Sequence, residues 1–194
     1  SRSTPILSSK LSYVVFNPTW TLPPTILKED VIPAATRNRS YFANKKITIY
    51  EGSTIVSAED WNPSKARSYR YVQSPGANNS LGLVKIMFPN RFSVYLHDTN
   101  SRGYFGREIR SLSSGCVRVQ DPFELTETLL HDSIQWNKQK IDSVLVNAKT
   151  KNVNFKQDIY LHLLYWTAWS EGNTLQFRDD IYNLDAALYQ KLRN

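Results

Sequence analysis

The chain has 194 residues, a one-domain length with enough polymer for a sizeable core, and its 41% hydrophobic and 12% aromatic content excludes a disordered segment. Its longest apolar run, Tyr160 to Trp169, is interrupted by His162 and falls far short of the ~18 residues a membrane span needs. The 24 Lys+Arg against 17 Asp+Glu give +7, a field that attracts anions, but the basic residues are scattered with no recognition helix or zinc spacing, which argues against nucleic acid.

In chain order, Leu11 to Asn17 (LSYVVFN) reads as a strand rich in β-branched and aromatic residues, stopped by Pro18. Pro23-Pro24 opens a short helix, Thr25 to Ile32, with Pro33 beyond its end. Ala34 to Gln73 is polar, basic and aromatic, with short strands at Ile47–Tyr50 and Thr54–Val56 around Glu51-Gly52-Ser53, and reads as an insertion packed on the side of a sheet. The turn formers of Gln73 to Leu81 return the chain to that sheet. Leu83 to Phe88 is a strand, Pro89-Asn90 a turn, and Phe92 to Leu96 its hairpin partner, which delivers His97 at its end.

Ser113, Ser114 and Gly115 form a small-residue turn before Cys116. Asp121-Pro122-Phe123-Glu124 has the form of a capping box with proline at the first helical position, predicting a helix to about His131. Ile141, Val144, Leu145 and Ala148 recur at helical spacing and predict a second amphipathic helix. Val153 to Tyr182 reads as strands with a hairpin turn at Glu171-Gly172-Asn173, and Leu184 to Leu192 as a closing helix. The predicted elements, mostly strands with a few helices, make the expected fold class α+β, mainly β.

The chemistry concentrates in one stretch. Cys116 is the only cysteine and His97, 19 residues before it, one of three histidines. A thiolate is the nucleophilic form of cysteine, and an adjacent imidazole that takes its proton is the usual way to populate it. Backbone N–H groups at Gly115 and Cys116 are candidate donors to an oxyanion on an attacked carbonyl. Arg118 could lower the thiol pKa or bind a substrate carboxylate bidentately. The bland alternatives are Cys116 as a small buried hydrophobe and His97 as a hydrogen-bonded strand end. His131, near a helix C-terminus, and His162, in an apolar strand, read as structural. A lone cysteine forms no internal disulfide, and the histidine and cysteine spacing matches no metal site, so no cofactor is implied.

His97-Asp98-Thr99 followed by Ser113-Ser114-Gly115-Cys116-Val117-Arg118 resembles the signature of the L,D-transpeptidase (YkuD-type) catalytic domain of bacterial cell walls, and most closely its YcbB-like subgroup. Thr4-Pro5-Ile6, Asn17-Pro18-Thr19-Trp20, Pro23-Pro24, Asn79-Ser80-Leu81-Gly82, Tyr95-Leu96 and Thr167-Ala168-Trp169 match in order, so the resemblance spans nearly the whole chain. One position departs: most such domains have histidine directly before the Gly-Cys pair, and here it is Ser114, which leaves the role of base to His97.

The resemblance implies a single catalytic domain over 1–194, built as a YkuD-like β-sandwich or mixed sheet, with 34–73 as an inserted capping subdomain. The strands that normally precede the Thr-Pro segment are expected to be missing from this chain. Cys116, His97, Ser114, Gly115 and Asp98 are implied as catalytic, and Arg118, Tyr95, Ser113 and Trp20 as substrate-binding. The implied partners are peptidoglycan tetrapeptide stems as donor and acceptor, giving 3→3 cross-links with release of D-alanine, and carbapenem-type β-lactams as covalent inhibitors. The implied location is the periplasm or cell envelope, with a secretion signal removed or lying upstream. Two alternatives stay open: a cysteine peptidase or amidase that hydrolyses stem peptides, and a non-catalytic wall-binding module.

Overall fold

A computed structural model describes residues 3–112 and 114–193. The strands in chain order are β1 Leu7–Lys10, β2 Tyr13–Phe16, β3 Trp20–Thr21, β4 Ile47–Glu51, β5 Thr54–Val56, β6 Arg70–Gln73, β7 Val84–Met87, β8 Leu96–His97, β9 Val117–Arg118, β10 Lys151–Asn154, β11 Tyr160–Leu163, β12 Ala168–Glu171 and β13 Thr174–Phe177. The longer helices are α4 Pro122–Leu130, α5 Lys138–Val146 and α6 Asp185–Leu192, preceded by short segments α1 Pro24–Ile26, α2 Ile32–Arg37 and α3 Ser40–Asn44. The mixture is α+β, as the sequence implies.

The central sheet has the order β10-β2-β7-β8-β9, antiparallel throughout except for β9, which runs parallel to β8. Because side chains alternate between faces, the register Val14↔Ile86↔Leu96↔Val117 places one apolar row on a single side. That face builds a core with Phe16, Val84 and the α4 and α5 residues Leu130, Ile141 and Val144, and Phe16 stacks on Trp136 at 5.5 Å. The adjacent row, Val15↔Lys85↔His97↔Arg118, lies on the opposite side. One strand pattern thus separates the folding face from the chemical face.

A second unit has its own sheet, β3-β6-β4-β5, and its own core of Leu22, Leu27, Val31, Phe42, Ile49, Trp61 and Tyr71. Leu22, Leu27 and Val31 precede residue 34, so this core draws on chain from Trp20 onward. The two ends of the excursion meet at Asn79, whose buried Nδ2 donates to Pro18 O at 3.0 Å and Ser74 O at 2.9 Å.

Three expectations are corrected. The first helix does not stop before Pro33. It runs from α1 through a π-helical turn, Leu27–Val31, into α2, with Ile32 N–H reaching back five residues to Leu27 O. Proline is tolerated in the first turn of α2, and the wider π turn is a usual way to fit an irregularity into a helix. The strand at 92–96 shrinks to Leu96–His97 because Asn90 occupies the backbone groups a ladder would use. Its Nδ2 donates to Phe88 O and Val94 O, its Oδ1 accepts from Phe92 and Val94 N–H, and Ser93 adopts φ 57°. The Asp121 capping box is not made, since the Asp121 side chain accepts no cap hydrogen bond; Pro122 has already removed one of the donors that need a partner.

Candidate active site

Cys116 reaches the site because β9 is stitched to the β8 segment: Val117 N–H donates to Tyr95 O at 3.1 Å and Val119 N–H to His97 O at 2.9 Å. Gly115 turns the chain into that strand at φ 98°, where an added Cβ would press on Ser3 O at 3.3 Å and Val94 at 3.4 Å. Glycine is the residue that accepts such a conformation without strain.

Trp20, Tyr95, His97, Ser114, Cys116 and Arg118 line one cleft of about 390 Å³. The second unit supplies the facing wall, with Ile26, Asp30, Tyr41 and Lys45. Of the remaining residues singled out in the sequence, Gly115 contributes backbone geometry, Asp98 lies behind the cleft, and Ser113 is outside the described residues.

His97 is buried, and its Nδ1 contacts the backbone carbonyl of Asp98. A carbonyl can only accept, so Nδ1 carries the proton in the neutral ring and Nε2 keeps its lone pair. Burial pushes the His97 pKa down to about 4, the cations Arg118 and Lys85 push the same way, and the Asp98 carbonyl opposes them. The Asp98 carboxylate does not touch the ring. It accepts from Leu83 N–H at 2.9 Å and pairs with Arg102 at 2.7 Å. Gly82, at φ 61°, lies directly beneath, where a Cβ would fall 2.3 Å from the carboxyl carbon.

Burial also pushes the Cys116 thiol up, opposed by hydrogen bonds from the Tyr95 backbone N–H and phenol and by the charges of Lys85 and Arg118. Arg118 therefore acts on the thiol in the direction read from the sequence, but desolvation outweighs it. Burial raises the Tyr95 phenol strongly, so it stays protonated and available as a donor to sulfur. At neutral pH both groups are then uncharged, a thiol and an imidazole whose Nε2 keeps a free lone pair. Among the described residues two buried donors in the cleft make no hydrogen bond of ordinary geometry: Trp20 Nε1, which is directed at the Tyr95 oxygen, and Arg118 Nε. Such donors suit the carbonyl or carboxylate oxygens of a peptide.

The other histidines lie elsewhere. His162 Nδ1 meets Ser8 Oγ at 2.7 Å on the β1–β11 pair, and His131 closes α4 at φ 47°. Among the described residues no group of His, Cys, Asp and Glu could hold a metal ion, and no helix is long and apolar enough to cross a membrane. Sequence reading missed Lys85, whose signal is a lone lysine inside the apolar strand LVKIMF, at the period-2 position that faces the site.

Residues 1–146 match the YkuD family model, described as the L,D-transpeptidase catalytic domain. A Haemophilus influenzae protein provisionally named an L,D-transpeptidase is 35% identical over 188 residues, covering 95% of this chain and 38% of its own length.

Proposed function

The chain belongs to the YkuD family of L,D-transpeptidase catalytic domains, and we propose that it joins peptidoglycan stem peptides through a Cys116 acyl-enzyme. The observation that supports this reading is that Cys116 and a tautomer-fixed, neutral His97 line one cleft together with the Trp20 and Arg118 side-chain donors.

His97 Nε2 takes the thiol proton as Cys116 Sγ attacks the carbonyl between the L-centre of diaminopimelate and the terminal D-alanine of a donor tetrapeptide. Main-chain N–H groups of 114–116 and the Tyr95 phenol stabilise the oxyanion. The C–N bond breaks, the His97 proton passes to the leaving nitrogen, and D-alanine departs. The side-chain amine of a second diaminopimelate then attacks the thioester and gives its proton to His97. The C–S bond breaks, the proton returns to sulfur, and a 3→3 cross-link is formed. Splitting one hard substitution into two easier ones is the gain of the covalent route. Trp20 and Arg118 hold peptide oxygens, and the facing wall acts as a cap. The reaction belongs in the periplasm or cell envelope, where its substrate lies.

The test is incubation with disaccharide-tetrapeptide and, separately, with a carbapenem, followed by mass spectrometry. Cross-linked dimer plus D-alanine is expected, and the β-lactam adduct should vanish in Cys116→Ala. Tripeptide monomer alone would assign hydrolysis instead; an adduct that persists in Cys116→Ala would remove Cys116 as nucleophile.

A further inference from the structure

Lys85 is a cation behind the site. On β7 it stands opposite His97 in register, while Arg118 stands opposite His97 on the other side, so the imidazole is flanked by a cation from each neighbouring strand. The Lys85 Nζ sits over the Tyr95 ring, 4.0 Å from its centroid, a cation–π contact of the kind that gains strength when desolvated. Its side chain is partly buried, and among the described residues no carboxylate pairs with it. A half-buried ammonium without a carboxylate is costly to the fold, and such groups concentrate at functional sites.

We propose that Lys85 is a positioning residue of the acyl-transfer centre: it clamps the Tyr95 ring so that the phenol meets Cys116, and it supplies positive charge to the thiolate from the strand behind. This rests on Cys116 being the nucleophile. The charge works in both directions, favouring the thiolate and disfavouring imidazolium, so Lys85 helps keep His97 a free base while easing removal of the thiol proton. The other groups facing the thiol are Tyr95 and His97 from the β8 segment and Arg118 from β9, with Asp30, Tyr41 and Lys45 across the cleft. Of these cations, Lys85 alone also contacts the Tyr95 ring.

The experiment is the pH profile of Cys116 alkylation by iodoacetamide in the full chain, read by intact mass, for wild type, Lys85→Met and Lys85→Arg. Methionine keeps most of the side-chain length and removes the charge. The expected result is a thiol pKa higher by about one unit in Lys85→Met, which slows alkylation about tenfold below that pKa, with most of the shift reversed in Lys85→Arg. An unchanged profile in a folded Lys85→Met overturns the proposal. Should neither variant fold, coupling is read in the other direction, since it must be reciprocal. The Lys85 ammonium, followed by NMR, should titrate at lower pH in Cys116→Ala than in wild type, and an equal titration overturns the proposal. Neither readout depends on transpeptidation, so its failure is distinct from a β-lactam adduct that survives in Cys116→Ala.

Discussion

His97 carries a pH dependence whose sign follows from its surroundings. Its pKa in the fold is about 4 against an ordinary 6.5. Above pH 6.5 the ring is neutral in folded and unfolded chains alike, so it adds no pH dependence there. Between 6.5 and about 4 the unfolded chain binds a proton that the folded chain refuses, so stability falls as pH falls through that window. At roughly 1.4 kcal/mol per unit, the loss on reaching pH 4 is of order 3 kcal/mol. His97→Gln keeps a polar side chain without a titrating ring, and its thermal midpoint should drop less than that of wild type between pH 7 and 4.5. Parallel curves would mean that the acid sensitivity comes from other groups.

At the scale of elements, Tyr95 and His97 are held by ladders on both sides, but the loop that leads into them is held by one side chain. Asn90 makes hydrogen bonds of 2.9, 2.9, 3.0 and 3.1 Å to the backbone of Phe88, Val94, Phe92 and Val94. A net hydrogen bond contributes about 1 kcal/mol, and these share one partly exposed group, so Asn90→Ala should cost about 2 kcal/mol by denaturant titration. Because the bonds end one residue before Tyr95, β-lactam acylation of Cys116 should also slow, by more than Asn147→Ala slows it; Asn147 caps only Ser143 O on the far helix α5. Equal acylation in the two variants would show that the loop is held by packing instead.

For the whole molecule, the two cores and the shared Asn79 clasp bear on the cap. Pro18 and Ser74 are held by one amide nitrogen, so the span between them can be replaced by a short linker without pulling the main sheet apart. Replacing 20–73 with Gly/Ser should leave a folded domain in which iodoacetamide still alkylates Cys116, while cross-linking of stem peptides is lost, because the facing wall of Ile26, Asp30, Tyr41 and Lys45 goes with it. Replacing only 34–73 should behave differently. It strands Leu22, Leu27 and Val31 without the rest of their core, and should yield aggregated protein. A 20–73 replacement that cross-links as well as the parent would dismiss the cap reading.

Local patterns were legible in the sequence: β-branched runs such as YVVF, the Gly52 and Gly172 hairpins, the 141 and 144 helix face, and the turn at Gly115 into Cys116. These depend on neighbours within a few residues. The residues it put forward in the cleft were also legible, because scarce reactive types, one cysteine and three histidines, narrow the choice. What escaped it depended on distant partners. The boundary of the second unit was hidden because Leu22, Leu27 and Val31 look like any amphipathic helix until the strands at 47–51 and 70–73 cover them. The truncation of the strand before His97 required knowing that an asparagine side chain would satisfy the backbone instead of a ladder. The charge state of the Cys116 and His97 pair was the furthest out of reach. Burial sets it first, and then a lysine 12 residues upstream of His97 in the chain is brought beside that histidine by strand register alone.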